Sequence, residues 1–325
     1  MTSGSLLGII PWQFVFSNHI FLQKIYRLYS NLMLSYYAIF LASAYVKLFL
    51  LLTEADSLKP EEITQNVPVT FINSITFAKQ FIIRFKGGFI GILRQIIESE
   101  SCVIEMEDQE VSAIYETTSK AMKTKSKWYL GILLVCTLQY SLVPVLMGLE
   151  KPNATETSKP LPLSLWFPVD EQKYYLIAYA RQILDGAVAI SFIAYTDVFM
   201  FTVMVFPVGQ LRILNFMLEN FDSYKRKHSN LHGTDSAVAH KVFVDMILRH
   251  KKIIEYVKSF NDTMSSLMLL QFLQCSIEIA FICLQAVTNE ITLVLVFFVL
   301  TLFLALIIRL FLYHYYANEI IILVS

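Results

Sequence analysis

Six long apolar stretches divide this chain, and lysine and arginine crowd into alternate connections between them. Each stretch approaches the roughly 20 residues that a helix needs to cross a ~30 Å hydrocarbon core. Within hydrocarbon every backbone N–H and C=O must be paired inside the segment, so such stretches become helices. The 325 residues are 56% hydrophobic, more apolar surface than a soluble domain can bury. The expected fold is all-α: a polytopic membrane helix bundle forming one membrane domain over 1–325, with spans at 33–53, 63–84, 128–149, 174–206, 263–287 and 291–315.

The loop charges orient that bundle. Arg84, Lys86, Arg94, Lys120, Lys123, Lys125 and Lys127 flank the connection between the second and third spans. Arg212, Lys225, Arg226, Lys227, Lys241, Arg249, Lys251, Lys252 and Lys258 fill the one between the fourth and fifth. Short basic connections stay cytoplasmic. Segments 86–126 and 208–262 are therefore expected inside, together with the amino terminus, and 150–173 outside. That outer loop carries the sequon Asn153-Ala154-Thr155, a glycosylation site that agrees with its placement.

Two stretches strain the simple picture. The second span is the weakest, interrupted by Gln65, Asn66, Asn73 and Lys79, but the loop charges require it. The fourth continues a helical pattern from Tyr174 to about Met217. At ~1.5 Å per residue that exceeds the hydrocarbon core, so its end should project into the cytoplasm or bend at Pro207. Residues 237–261 are amphipathic, with Val242, Met246, Ile253 and Val257 along one stripe.

No catalytic constellation, metal-ligand spacing, nucleotide loop or dinucleotide fingerprint is present, so the chain does not read as an enzyme and calls for no cofactor. Zero net charge gives no reason to expect nucleic-acid binding. Cys102, Cys136, Cys275 and Cys283 match no zinc pattern and read as inert thiols, and His228 and His232 read as part of a solvated loop. Ionisable groups inside spans carry more weight, because a charge at membrane depth is costly. Arg181 and Asp185 lie four apart and can pair on one helix face; Asp197 and Glu278 lie deeper, as structural or gating candidates. Phe71, Tyr140 and Tyr179 fall toward the outer halves of their spans, where they can line an apolar pocket.

Several segments then resemble the insect odorant receptors. LPLSLWFPVDEQKYYLIAYARQIL is similar to that family's outer-loop pattern, here Pro162, Trp166, Pro168, Asp170, Tyr174, Tyr175, Leu176, Tyr179 and Gln182. TDVFMFTVMVFPVGQLRIL resembles its fourth-span exit through Asp197, Gln210 and Leu211. RLFLYHYYANEI resembles its sixth-span ending, with Tyr315, Asn318 and Glu319 at recurrent positions and Ala317 where glycine is common. The resemblance implies a plasma-membrane subunit of the sensory dendrite that binds a small volatile hydrophobic ligand. Such a subunit gates a non-selective cation channel as a hetero-oligomer, a tetramer, with a co-receptor subunit, its pocket in the outer half of the bundle. The candidate ligand-binding residues are Phe71, Ser74, Tyr140, Tyr179 and Gln182. The family's seventh, pore-lining span has no counterpart after residue 315, so the chain is expected to be a partial or truncated form that gives no odour-evoked current alone. A gustatory-type chemoreceptor is the nearest alternative. A G-protein-coupled receptor would invert the charge pattern, and a transporter would show broken helices in matching halves.

Overall fold

The computed structural model describes residues 14–15, 19–53, 60–105, 108–150, 161–229, 235–288 and 293–324. Among them are eight α-helices and no strand: α1 (Ile20–Thr53), α2 (Pro60–Phe85), α3 (Gly87–Glu105), α4 (Gln109–Glu150), α5 (Tyr175–Glu219), α6 (Phe221–Ser229), α7 (Asp235–Thr288) and α8 (Leu293–Val324). The fold is the all-α polytopic bundle that the apolar runs dictate. Four of these helices include a segment long and apolar enough to cross a membrane: Ile20–Thr53, Tyr175–Glu219, Ser236–Leu284 and Val296–Leu323. The runs at 63–84 and 128–149 fall on α2 and α4.

The helices are longer than the apolar runs, and local chemistry explains where they start. Asp108 caps α4, its Oδ1 accepting from the backbone N–H groups of Glu110 at 3.0 Å and Val111 at 3.4 Å. Asp170 folds the turn that leads into α5 in the same way, accepting from Gln172 at 2.9 Å and Lys173 at 3.2 Å. Helix α5 does not end at Pro207 but runs through it to Glu219. The amphipathic stretch and the fifth apolar run are one helix, the 54 residues of α7. That is ~80 Å of helix against a core of ~30 Å. His228 lies within α6 rather than in a loop, because FDSYKRKHS has no residue that breaks a helix; His232 and Asn153 lie outside the described residues.

The chain divides into two compact units. Unit 1 comprises Met1–Phe85, Trp128–Val198 and Leu267–Arg309. Its core gathers Tyr37, Phe40, Ala44, Leu163, Leu165, Ala189 and Phe192. The Tyr37 ring stacks on Phe192 at 4.6 Å between centroids, and its hydroxyl donates to Asn73 Oδ1 at 2.7 Å. Asn66 fixes the segment before α5, donating through Nδ2 to the carbonyls of Ser164 (2.6 Å) and Ala44 (3.2 Å). Large side chains on its outer faces, among them Phe49, Leu176, Leu269 and Phe297, are more than 60% exposed, as lipid-facing positions would be.

Unit 2 comprises Lys86–Lys127, Phe199–Ser266 and Leu310–Ser325. In its core a cluster of apolar side chains has Val103, Val111, Leu211, Leu214 and Met217 meeting Val242, Met246 and Ile253, with Tyr224 beside them. Those last three belong to the stripe read from the sequence, and Val257 packs against them. Tyr224 donates its hydroxyl to Asp108 at 3.0 Å, a bond that helps burial push its pKa up. Helices α3 and α7 approach closely at Gly88, where an added Cβ would lie 2.7 Å from Thr263 Oγ1.

Candidate functional site

Unit 1 contains a cavity of about 190 Å3. Its walls come from α1, α2, α4, α5, α7, α8 and the segment before α5 and are mostly aliphatic, with Val69, Ile72, Leu133, Ile190, Ile282 and Leu306 typical. On α5 the lining runs from Gln182 through Gly186 and Ile190 to Ile193, the helical spacing of one face over ~16 Å of rise. An engineered cavity of about 150 Å3 with such walls stays dry and binds benzene. The space therefore suits a small apolar molecule.

Asn73, Thr137 and Ser141 are among the polar residues of the lining, and two further polar places stand out. Near the segment before α5, Gln182 lines the cavity while its Oε1 accepts from the Leu163 backbone N–H at 2.9 Å. Elsewhere Tyr129, Glu278 and Arg309 line it together. Arg309 is only 3% exposed. Its Nη2 pairs with Glu278 Oε2 and lies 3.4 Å from Cys275 Sγ, and its Nη1 lies 3.6 Å from Asp197 Oδ2. Tyr129 donates its hydroxyl to the same Asp197 oxygen at 2.6 Å.

A second cation joins this network through glutamines. Lys79, 2% exposed, donates to the side-chain oxygens of Gln271 and Gln274. Gln274 passes the contact on, donating through Nε2 to Glu278 Oε1 at 2.9 Å. Two cations, Lys79 and Arg309, thus face two carboxylates, Asp197 and Glu278, and the cluster is formally neutral. Neutrality matters, because an unpaired buried charge is far costlier than a paired one.

The residues singled out in the sequence distribute unevenly around this site. Tyr140 and Gln182 line the cavity; Phe71, Ser74 and Tyr179 do not. Phe71 is 46% exposed, turned away because Val69, Ile72 and Asn73 occupy the cavity face of α2. Ser74 donates its hydroxyl to the Thr70 carbonyl at 2.6 Å and shares a hydrogen bond with Tyr45. Tyr179 lies one turn before Gln182 and donates its hydroxyl to the Ser141 carbonyl.

Arg181 and Asp185 do pair, at 3.4 Å, with Tyr36 donating to the other Asp185 oxygen at 2.6 Å. In unit 2, Glu319 pairs with Arg212 at 2.8 Å, Lys125 sits 3.7 Å over the Tyr315 ring, and Asn318 is exposed.

The comparison with known families decides what kind of protein carries this cavity. The sequence model of the 7tm Odorant receptor family matches residues 59–322. The chain belongs to that family. The receptor's fold is also that of the insect olfactory receptor OR5 from Machilis hrabei. Against the structure in complex with eugenol it has a TM-score of 0.68 at 14% identity, covering 96% of this chain and 76% of that one. Against a second structure of OR5 the values are 0.69 and 15%, covering 98% and 78%. No curated protein matches the chain.

The receptor's sequence held one signal that residue-by-residue reading passed over. Arg309 is the lone Asp, Glu, Lys or Arg between Glu290 and Glu319, inside the most apolar of the described helices. A cation there needs buried partners, and Asp197 and Glu278 are those partners.

Proposed function

We propose that the receptor binds a small volatile hydrophobic molecule in the unit 1 cavity, and that occupancy gates a non-selective cation channel assembled with a co-receptor subunit. The observation that carries this reading is the cavity itself: mostly aliphatic walls, a few convergent polar groups, and a position among six helices of an odorant-receptor fold. In this reading the runs at 63–84 and 128–149 cross the bilayer with the other four, the amino terminus is cytoplasmic, and 150–173 faces outward in the plasma membrane. OR5 from Machilis hrabei has been solved with eugenol, and a ligand of that size class is the natural probe here.

The test is binding of a panel of small volatiles to the receptor in lipid nanodiscs. Ile190→Trp fills the cavity from α5 and should weaken every ligand at least tenfold. Tyr140→Ala, inside the lining, should change affinity more than Tyr179→Ala, whose parent hydroxyl is held by Ser141. Ligands that bind Ile190→Trp as tightly as the parent would sink the assignment. The channel arm is read separately, as ligand-evoked cation current in cells that also express a co-receptor.

A further inference from the structure

One outward face of α4 changes character along the helix. Glu116, Lys120, Lys123 and Lys127 share it with Leu134, Leu138 and Leu142, all within about 100° of arc. The three lysines are exposed, and the leucines are 61%, 53% and 54% exposed in that order. Trp128 flanks the changeover from lysine to leucine and is 72% exposed. Tryptophan gathers at the boundary between headgroups and hydrocarbon. In a bilayer this face therefore presents cations at the headgroup level and an apolar track beyond it.

The basic half is short of anions. Lys120 pairs with Glu116 at 2.9 Å. Lys123 and Lys127 have no carboxylate three or four residues away on the helix; the charged residues at those spacings are Lys120 and each other. Like charges so placed oppose the helix, and an anion between them turns repulsion into attraction. The two lysines lie ~6 Å apart along the axis, so both side chains reach one phosphate. From Lys127 to Leu138 the helix rises ~16 Å, about the depth of one leaflet's hydrocarbon. A phosphate and acyl chains at that spacing belong to a single molecule, a phospholipid. A choline headgroup would bring a further cation to the lysines, so the matching lipid carries net negative charge.

We propose that this face of α4 binds an anionic phospholipid of the cytoplasmic leaflet, its phosphate between Lys123 and Lys127 and its acyl chains along Leu134 and Leu138. This rests on the reading in which 128–149 crosses the bilayer with 86–126 inside, and it is independent of the cavity. The cytoplasmic leaflet is the one that holds anionic lipids, and basic residues just inside a span attract them.

The experiment is native mass spectrometry of the receptor in detergent, titrated with phosphatidylinositol or with phosphatidylcholine of the same acyl chains. The parent should bind phosphatidylinositol more tightly. Lys123→Gln with Lys127→Gln keeps good helix formers on an exposed face and should weaken phosphatidylinositol about 30-fold, with phosphatidylcholine unchanged. Lys123→Arg with Lys127→Arg should restore the preference. Lys120→Gln, whose parent lysine is already paired, should stay within about threefold of the parent. Glycerophosphoinositol, the headgroup without acyl chains, should not displace the lipid at equal concentration.

Equal affinity of the parent for the two lipids, or parent-like binding by the double glutamine variant, would overturn the lipid site. Displacement by glycerophosphoinositol as effective as by the lipid would also overturn it, because the face would then read a free anion. The topology is read separately, from an epitope inserted between α3 and α4 that should stain only after cells are permeabilised. Staining of intact cells would remove the topology and this inference with it.

Discussion

Unit 1 holds Arg309, Lys79 and Asp197 at 3%, 2% and 1% exposure. Unit 2 leaves its ion pairs in the open: side-chain exposures are 38% and 24% for Arg212 and Glu319, 22% and 58% for Arg249 and Asp245, and 70% and 65% for Lys120 and Glu116. Among the described residues of unit 2, no charged side chain is buried. In the proposed topology, which puts unit 1 in the bilayer and unit 2 in water, the cause is solvent. Where water reaches the surface, charge is cheapest left in water and the core can be purely apolar. Where lipid replaces water, a charge has nowhere better to go than another charge. In unit 1 the cluster around Arg309 therefore lies inward and large aliphatic side chains outward, and the cluster borders the cavity, while Lys47–Glu62 stays half-exposed at 22% and 31%.

The sharpest way to break this contrast is to remove one member of the buried cluster. Arg309→Met strands Asp197 and Glu278 and is expected to cost about 3–5 kcal/mol, enough to abolish the folded peak in fluorescence-detected size exclusion after mild heating. Adding Glu278→Gln restores neutrality and should recover most of the loss. If the single variant is as stable as the parent, the cluster is not the structural centre of unit 1.

The counterpart in unit 2 sharpens the contrast from the other side. Arg212→Gln also removes an ion pair, with Glu319 at 2.8 Å, but at a half-exposed position. The expected loss is about 1 kcal/mol or less, and added salt should shrink it further. The same assay reads both variants. A loss at Arg212 equal to that at Arg309 would mean that exposure does not set the worth of an ion pair in this receptor.

Much of this architecture was legible in the chain. The apolar runs gave the helices, and the stripe of Val242, Met246 and Ile253 gave a face of unit 2's core, because periodicity survives whatever the solvent. Asp197 and Glu278 stood out as carboxylates at membrane depth. Asn66 and Asn73 counted against a second span, yet both are fully or nearly buried and hydrogen-bonded, since a bundle interior tolerates polar groups that lipid does not. The cavity face was harder. Phe71 and Asn73 are two residues apart on α2 and so point about 200° apart, and nothing in the local sequence says which of those directions faces α4 and α5. Register between helices is a tertiary property, and no local stretch of one sequence encodes it.

Glu171 offers the finest test of the rule that separates the two units, because it lies between the extremes. It is half-buried in unit 1, in the segment before α5, and burial raises its carboxyl above the ordinary range although Lys47 partly offsets this. A carboxyl whose folded pKa lies above its unfolded value binds its proton more readily in the folded state. Stability is therefore highest below the ordinary carboxylate range, ~4.3, and declines as pH rises through that value toward the folded pKa. Glu171→Gln removes the titration. The melting temperature of the parent relative to this variant should fall across that window and then level off. A parent that instead gains on the variant with rising pH would mean that Lys47 outweighs burial, and that Glu171 belongs with the paired charges.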